Sequence, residues 1–238
     1  GSIVLIDNDS PDDSFQRMTE LTRAANWPSH LDVQVLQSGR NGGFGAGNNY
    51  GMAQALPDGS PPDFVYLLNS DAFPDPNAIE VLRDYMVAHP ECGITGSYIE
   101  GEDGVPHTTA FRFPTVLSEF ENAARTGVIT RMLENHVVAL PTPDHACKID
   151  WTPGASFMMR RKMIDEVGSF DEGYFLYFEE IDWAFRRGDL PLKFCQTALV
   201  YHHNGTAIGS GSLNQRASAF SNYFNYRNRM RFVRRHFP

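Results

Sequence analysis

The sequence predicts an α/β fold. Two apolar runs, Ile3-Val4-Leu5-Ile6 and Phe64-Val65-Tyr66-Leu67-Leu68, are continuous rather than alternating, the pattern of strands buried on both faces. Each breaks off into acidic and turn-forming residues: Asp7-Asn8-Asp9-Ser10-Pro11 after the first, Asn69-Ser70-Asp71 after the second. Stretches of helical spacing alternate with further strand-like runs. In open α/β sheets ligands meet the carboxyl ends of strands, so Asp7 and Asp71 are placed to meet one. For Asp7 alone, an Asx turn leading into a helix cap is an equally good reading.

In chain order, a helix is expected over Phe15–Asn26 and a strand over Leu31–Leu36, which alternates. Ser38–Gly51 follows, with five glycines between positions 39 and 47. Such a backbone turns tightly and lets a ligand approach closely; a helix is expected from Asn48 onward. A glycine-rich loop before a helix can cradle phosphate. This one is neither the dinucleotide fingerprint after a first strand nor a P-loop with Lys-Ser/Thr, so a purely structural turn explains it as well. At the second strand end, Asp71 is a hard oxygen ligand suited to Mg²⁺ or Mn²⁺, ions that take few protein carboxylates and complete their shell with diphosphate oxygens.

Asn77–His89 reads as an amphipathic helix with Ile79, Leu82, Met86 and Val87 on one face. Gly93–Ser97 reads as a strand, and a helix is expected near 116–126. Leu192–Tyr201 is a strand that delivers His202-His203-Asn204-Gly205. A strand-end His can ligate metal, although such pairs are more often surface or core features. From Phe220 to Pro238, aromatic residues interleave with five arginines. That tail reads as a basic amphipathic helix, either packed on the domain or lying on an anionic membrane face.

The densest chemistry lies in Trp151–Arg187. A Gly154-Ala155 turn opens it, an aromatic run (Phe175, Tyr177, Phe178) follows, and Glu179, Glu180 and Asp182 fall within four residues. Crowded carboxylates repel one another and an aromatic wall desolvates them; both effects raise carboxyl pKa values, as a general base requires. The same acids also suit the first turn of a helix. On a helix Glu179 and Asp182 share a face, leaving Glu180 to point elsewhere.

The chain has 238 residues, 42% of them hydrophobic, and a formal net charge of −9. Its length suits one large α/β domain, and its charge argues against nucleic-acid binding. Cys92, Cys147 and Cys195 are widely spaced and odd in number, which fits reduced thiols and a cytoplasmic setting. No apolar run approaches the roughly 18 residues of a membrane span. Gly1-Ser2 reads as a cloning scar.

Taken together, IVLIDNDSPDDS, GRNGGFGAGNNYG, LLNSDAFPDPNAIEVL, FRFPT, TPGASFMMRRKMIDEVGSFDEGYFLYFEEIDWAFR, VYHHNG and YFNYRNRMRFVRRH make the chain resemble inverting family-2 glycosyltransferases of the GT-A fold, in the rhamnosyltransferase-like branch that builds bacterial cell-surface polysaccharides. The resemblance spans Ile3 to His236. It implies a Rossmann-like nucleotide-binding mixed sheet flanked by helices, in a single domain over 1–238: a nucleotide-binding part (1–97), an acceptor and catalytic part (98–219) and the basic tail (220–238). It implies that Asp7, Asn41 and Asn69 contact the nucleotide and that Asp71 binds both the diphosphate and a divalent cation. It makes Glu180 the base, with Glu179 and Asp182 beside it. His202, rather than His203, completes the metal shell, and Gly154, Ala155 and Trp183 lie against donor or acceptor sugar. The first acid of the family's DxD motif is Asn69 here. The family's first strand–helix unit is expected to be missing from these residues. The implied partners are a nucleoside-diphosphate sugar and a glycan or lipid-linked acceptor, with the tail in peripheral contact at the inner membrane face. Two other classes compete: an inactive nucleotide- or carbohydrate-binding module of the same fold, and a glycoside hydrolase, since carboxylate pairs also serve there.

Overall fold

A computed structural model describes residues 1–101, 103–124, 126–188, 190–202 and 218–237. The N-terminal part runs β1 (Ser2–Asp7), α1 (Ser14–Ala24), β2 (Asp32–Gln37) and α2 (Gly43–Met52). β1 and β2 pair in parallel, with Asp7 opposite Gln37, and form a two-stranded sheet of their own. Next come β3 (Phe64–Leu68), β4 (Ala72–Pro74), α3 (Ala78–Ala88), β5 (Ile94–Glu100), α4 (Val116–Ala124) and α5 (Gly127–Met132). The last part holds β6 (Cys147–Ile149), β7 (Ser156–Arg160), α6 (Arg161–Val167), α7 (Glu179–Arg186), β8 (Leu192–His202) and α8 (Ala219–His236).

The larger sheet is mixed, in the order β3-β7-β5-β8-β4, with β6 also paired to β8. β5 and β8 are parallel and β7 is antiparallel to both its neighbours. Alternation along β7 shows how its faces are used. Phe157 and Met159 enter the main core with Ile94, Phe194, Phe170 and Trp183. Met158 points the other way, onto Leu82 and Met86 of α3. α3 therefore buries Ala78, Leu82 and Met86, while Ile79 and Val87 of the expected face are exposed.

Two further expectations are corrected. The helix placed from Asn48 onward begins five residues earlier and ends at Met52, so the glycine stretch itself is helical. Each helical glycine costs roughly 1 kcal/mol relative to alanine, and close packing offsets that cost. A Cβ on Gly43, whose φ is +84°, would sit 1.9 Å from the carbonyl oxygen of Phe175. Asn49 then pins the helix by bonding both main-chain groups of Phe170, at 3.0 and 2.9 Å. Trp183, expected against sugar, is 1% exposed. Its ring packs on Phe170 and its Nε1–H donates to the carbonyl of Gly168 at 2.6 Å, so it has no face to offer a ligand.

α8 is packed on the domain. Ser221, Asn228 and Phe232 are buried along one side. Arg229 pairs with Glu119 at 2.8 Å, and Arg231 and Arg235 both pair with Asp171. Exposed ion pairs of this kind contribute about 0–1 kcal/mol each; the buried aromatic side supplies most of the docking. Among the described residues, no helix is long and apolar enough to cross a membrane.

Candidate active site

α7 opens on a strained turn. Tyr177 and Phe178 lie in left-handed backbone conformations, with φ of 66° and 74°. For bulky L-residues that costs roughly 1–2 kcal/mol each, and such strain collects at functional sites. The two residues that follow are Glu179 and Glu180. Glu179 is 3% exposed and packs where Gly45 of α2 leaves room. Among the described residues, Oε2 of each acid is buried with no hydrogen-bond partner. Burial raises the Glu180 carboxyl to about 7. Glu179 is raised well above the ordinary range, first by burial and then by the charge of Glu180. Burial thus disfavours charge on both acids, and each charge disfavours the other.

Glu180 lies on the wall of a cavity of about 380 Å³, with Phe111, Trp151, Tyr177, Phe178 and Arg229 among its other walls. Phe111 and Trp151 stack, with centroids 4.1 Å apart. Asp182 faces away from that cavity. It is fully buried and accepts from Arg186 at 2.9 Å and from the Tyr174 hydroxyl at 3.3 Å, with Nε2 of His236 at 2.8 Å. Those partners hold it in the packing between α7 and α8.

The β3–β4 corner carries Asn69-Ser70-Asp71. The Asn69 N–H donates to the carbonyl of Ala155 at 3.0 Å, which fixes the corner on β7. Ala72 is in register with His202, so Asp71 Oδ1 lies 3.2 Å from His202 Nε2. Two neighbouring ligands of an octahedral ion with bonds of about 2.1 Å would be about 3.0 Å apart; the pair fits a shared divalent cation. The described residues contain no cluster of three metal-binding side chains. His203 and Gly205 lie outside the described residues. The sequence reading missed His107, whose ring meets His202 edge-on with centroids 6.1 Å apart.

At the end of β1, Asp7 is 2% exposed, and its Oδ2 accepts from Gln37 Nε2 at 3.0 Å and from the Ser10 N–H at 3.2 Å. Asn41 accepts the Gly43 N–H at 3.2 Å, at the start of α2. Asn8, not singled out in the sequence, donates to the Gly43 carbonyl at 2.9 Å. The Phe44 N–H reaches the Phe175 carbonyl at 3.2 Å, and a Cβ on Gly154 would strike the Phe44 ring at 2.5 Å. Gly154 thus gives room to Phe44, and the buried Ala155 supports Asn69. Asn8 on Asn41 and Gly43, Phe44 beneath Gly154, Asn69 on Ala155 and Gly45 beside Glu179 form a chain of contacts running between these groups through α2.

The raised carboxyls have a consequence for stability. A carboxyl whose folded pKa lies above its unfolded value stabilises the fold fully below the unfolded value and loses that contribution as pH rises through the folded one. Unfolding free energy is expected to fall between about pH 5 and pH 8. Glu180→Gln should flatten that decline, as read by denaturant titrations across the range.

Residues 2–168 match the sequence profile described as Glycosyl transferase family 2. N-acetylglucosaminyl-diphospho-decaprenol L-rhamnosyltransferase of Mycobacterium tuberculosis is 28% identical over 222 residues, 87% of this chain and 68% of that protein. The low-salt glycan biosynthesis hexosyltransferase Agl10 of Haloferax volcanii is 26% identical over 95% of this chain and 65% of its own length. Among solved structures, GalNAc-T7 with UDP, GalNAc and Mn²⁺ superposes with a TM-score of 0.58 at 15% identity, over 84% of this chain and 37% of that one. S. aureus TarS 1–349 with UDP gives 0.51 at 15% identity, over 84% and 50%. The chain thus spans about two-thirds of these curated relatives and half or less of these solved chains. The profile match takes in all the elements from β1 to α6, and the chain belongs to glycosyl transferase family 2, with the GT-A fold.

Proposed function

We propose that this domain transfers a sugar, with inversion, from a nucleoside-diphosphate sugar to a hydroxyl of a glycan or lipid-linked acceptor, in bacterial cell-surface glycan assembly. The observation that carries this reading is Glu180, a carboxyl raised to about 7 with a buried, unpartnered oxygen on the wall of an aromatic cavity. A base with that pKa is half ionised near neutrality, where proton transfer is most effective. Glu180 takes the proton of the acceptor hydroxyl. The acceptor oxygen forms its bond to the anomeric carbon as the bond to the diphosphate breaks, and the nucleoside diphosphate leaves. Asp7 and Asn41 hold the nucleotide, with Asn69 at the diphosphate. Asp71 and His202 would hold a divalent cation, Mn²⁺ or Mg²⁺, whose charge offsets that of the departing diphosphate. Burial and the charge of Glu180 raise the Glu179 carboxyl; Glu180, which lines the cavity, is the base.

Glu180→Gln preserves size and cannot accept the proton. Turnover is expected to fall by about 10²–10⁴-fold, with the Kd for the donor nearly unchanged, in transfer assays paired with calorimetric donor titrations. Near-normal turnover in Glu180→Gln, together with loss in Glu179→Gln or Asp182→Asn, would move the base to another carboxylate.

The proposal extends to the membrane. The outward side of α8 exposes Tyr223, Tyr226 and Met230 alongside Arg227 and Arg234. Basic residues near an anionic surface contribute about 1 kcal/mol each, and this stripe would hold the domain at the cytoplasmic face. Co-sedimentation with phosphatidylserine vesicles is expected to weaken with salt and in the Arg227→Glu/Arg234→Glu variant. Equal partitioning of variant and wild type would leave α8 a packing helix only.

A further inference from the structure

We infer that Asn228, in the middle of α8, is a positioning residue for the general base: its amide holds the left-handed turn that aims Glu180. This inference rests on the assignment of Glu180 as base. Asn228 is fully buried. Its Nδ2 donates to the carbonyls of Leu176 at 2.7 Å and Tyr177 at 2.9 Å. Its Oδ1 accepts from Arg227 Nη1 at 3.0 Å, which leaves both N–H groups for the turn. Asparagine is a poor residue for a helix interior, and here its two donors satisfy main-chain carbonyls that two consecutive left-handed residues leave outside regular structure.

The rest of α8 braces the same turn. The Tyr177 hydroxyl meets Ser221 Oγ at 2.8 Å. Phe175 packs against Phe224 at a centroid distance of 5.0 Å, and Phe178 against Phe232 at 5.8 Å. These contacts bury the turn; only Asn228 bonds its backbone from α8 among the contacts described. Loss of that amide would leave buried carbonyls unpaired, and the left-handed pair would relax toward ordinary backbone angles. Glu179 and Glu180 follow directly, so relaxation turns their carboxyls and admits water. The charged and titratable groups around Glu180 are Glu179 beside it and Glu119, Glu121, Tyr177 and Arg229 on the cavity wall.

The test uses the full chain labelled with ¹³C at glutamate carboxyls, the Glu180 resonance being assigned by its absence in Glu180→Gln. In Asn228→Ala the Glu180 titration midpoint is expected to fall by about one unit or more, a tenfold change in proton affinity. The amides of residues 177–181 should exchange faster with solvent. Leu82→Ala, on the opposite face of the sheet, should lower the melting temperature and leave both readouts as in wild type. Asn228→Gln keeps the two donors and should recover part of the exchange protection; it also carries the test if Asn228→Ala does not fold. A lowered melting temperature with midpoint and exchange unchanged would reduce Asn228 to a packing residue and overturn the inference. A wild-type Glu180 that titrates in the ordinary carboxylate range would remove the base assignment instead, and the exchange readout alone would then decide the hold on the turn.

Discussion

Two carboxyl groups adjacent in sequence are buried, and burial raises the pKa of both. Glu179 sits against α2 and Glu180 against the aromatic cavity, and each keeps an oxygen without a hydrogen-bond partner among the described residues. Burying an unpaired carboxylate is costly, and a protein relieves that cost by raising the pKa. Most of the surrounding structure serves to keep the pair there. The left-handed Tyr177–Phe178 turn directs it, α8 holds the turn, and Asp182, tied to Arg186 and His236, fixes the far side of the first turn of α7.

The same constraint explains the glycine-rich helix. α2 lies between the small parallel sheet and the rest of the domain. Met52 enters the main core, Gly51 lies against Ile6 of β1, and Gly43 lets the Phe175 carbonyl come within contact. A larger residue at Gly43 would push α2 away from the segment that leads into the acidic turn. Phe44 completes the link, its N–H on Phe175 and its ring beneath Gly154. The glycines act by allowing elements to approach one another, whatever they allow a ligand.

Much of this was legible in the sequence, for reasons that differ by element. β1 and β3 were legible because their apolar residues run unbroken up to turn-forming residues, although both strands are mostly half-buried rather than buried on both faces. α7 was legible because its acids lead and its arginines close it. Strand β7 went unread: its five residues, Ser156–Arg160, run straight into α6, with no turn residue to separate them. Trp183 was misplaced because an aromatic near acids looks like a sugar platform; only the fold shows that it shares the core with Phe170. His107 was invisible because 35 intervening residues separate it from Asp71. Asn228 was invisible because an asparagine among arginines reads as helix surface, and its partners, Leu176 and Tyr177, lie about fifty residues away.

The central claim is that the Asp71–His202 pair and Glu180 belong to one site. Paramagnetic broadening tests it most directly, with Mn²⁺ and a nucleoside diphosphate added to the chain labelled with ¹³C at its glutamate carboxyls. UDP and dTDP are the probes. The account predicts that the Glu180 resonance broadens while that of Glu20, on α1, stays sharp, and that Asp71→Ala abolishes the effect. A Glu180 resonance that stays sharp while the Mn²⁺–nucleotide complex is demonstrably bound would contradict it.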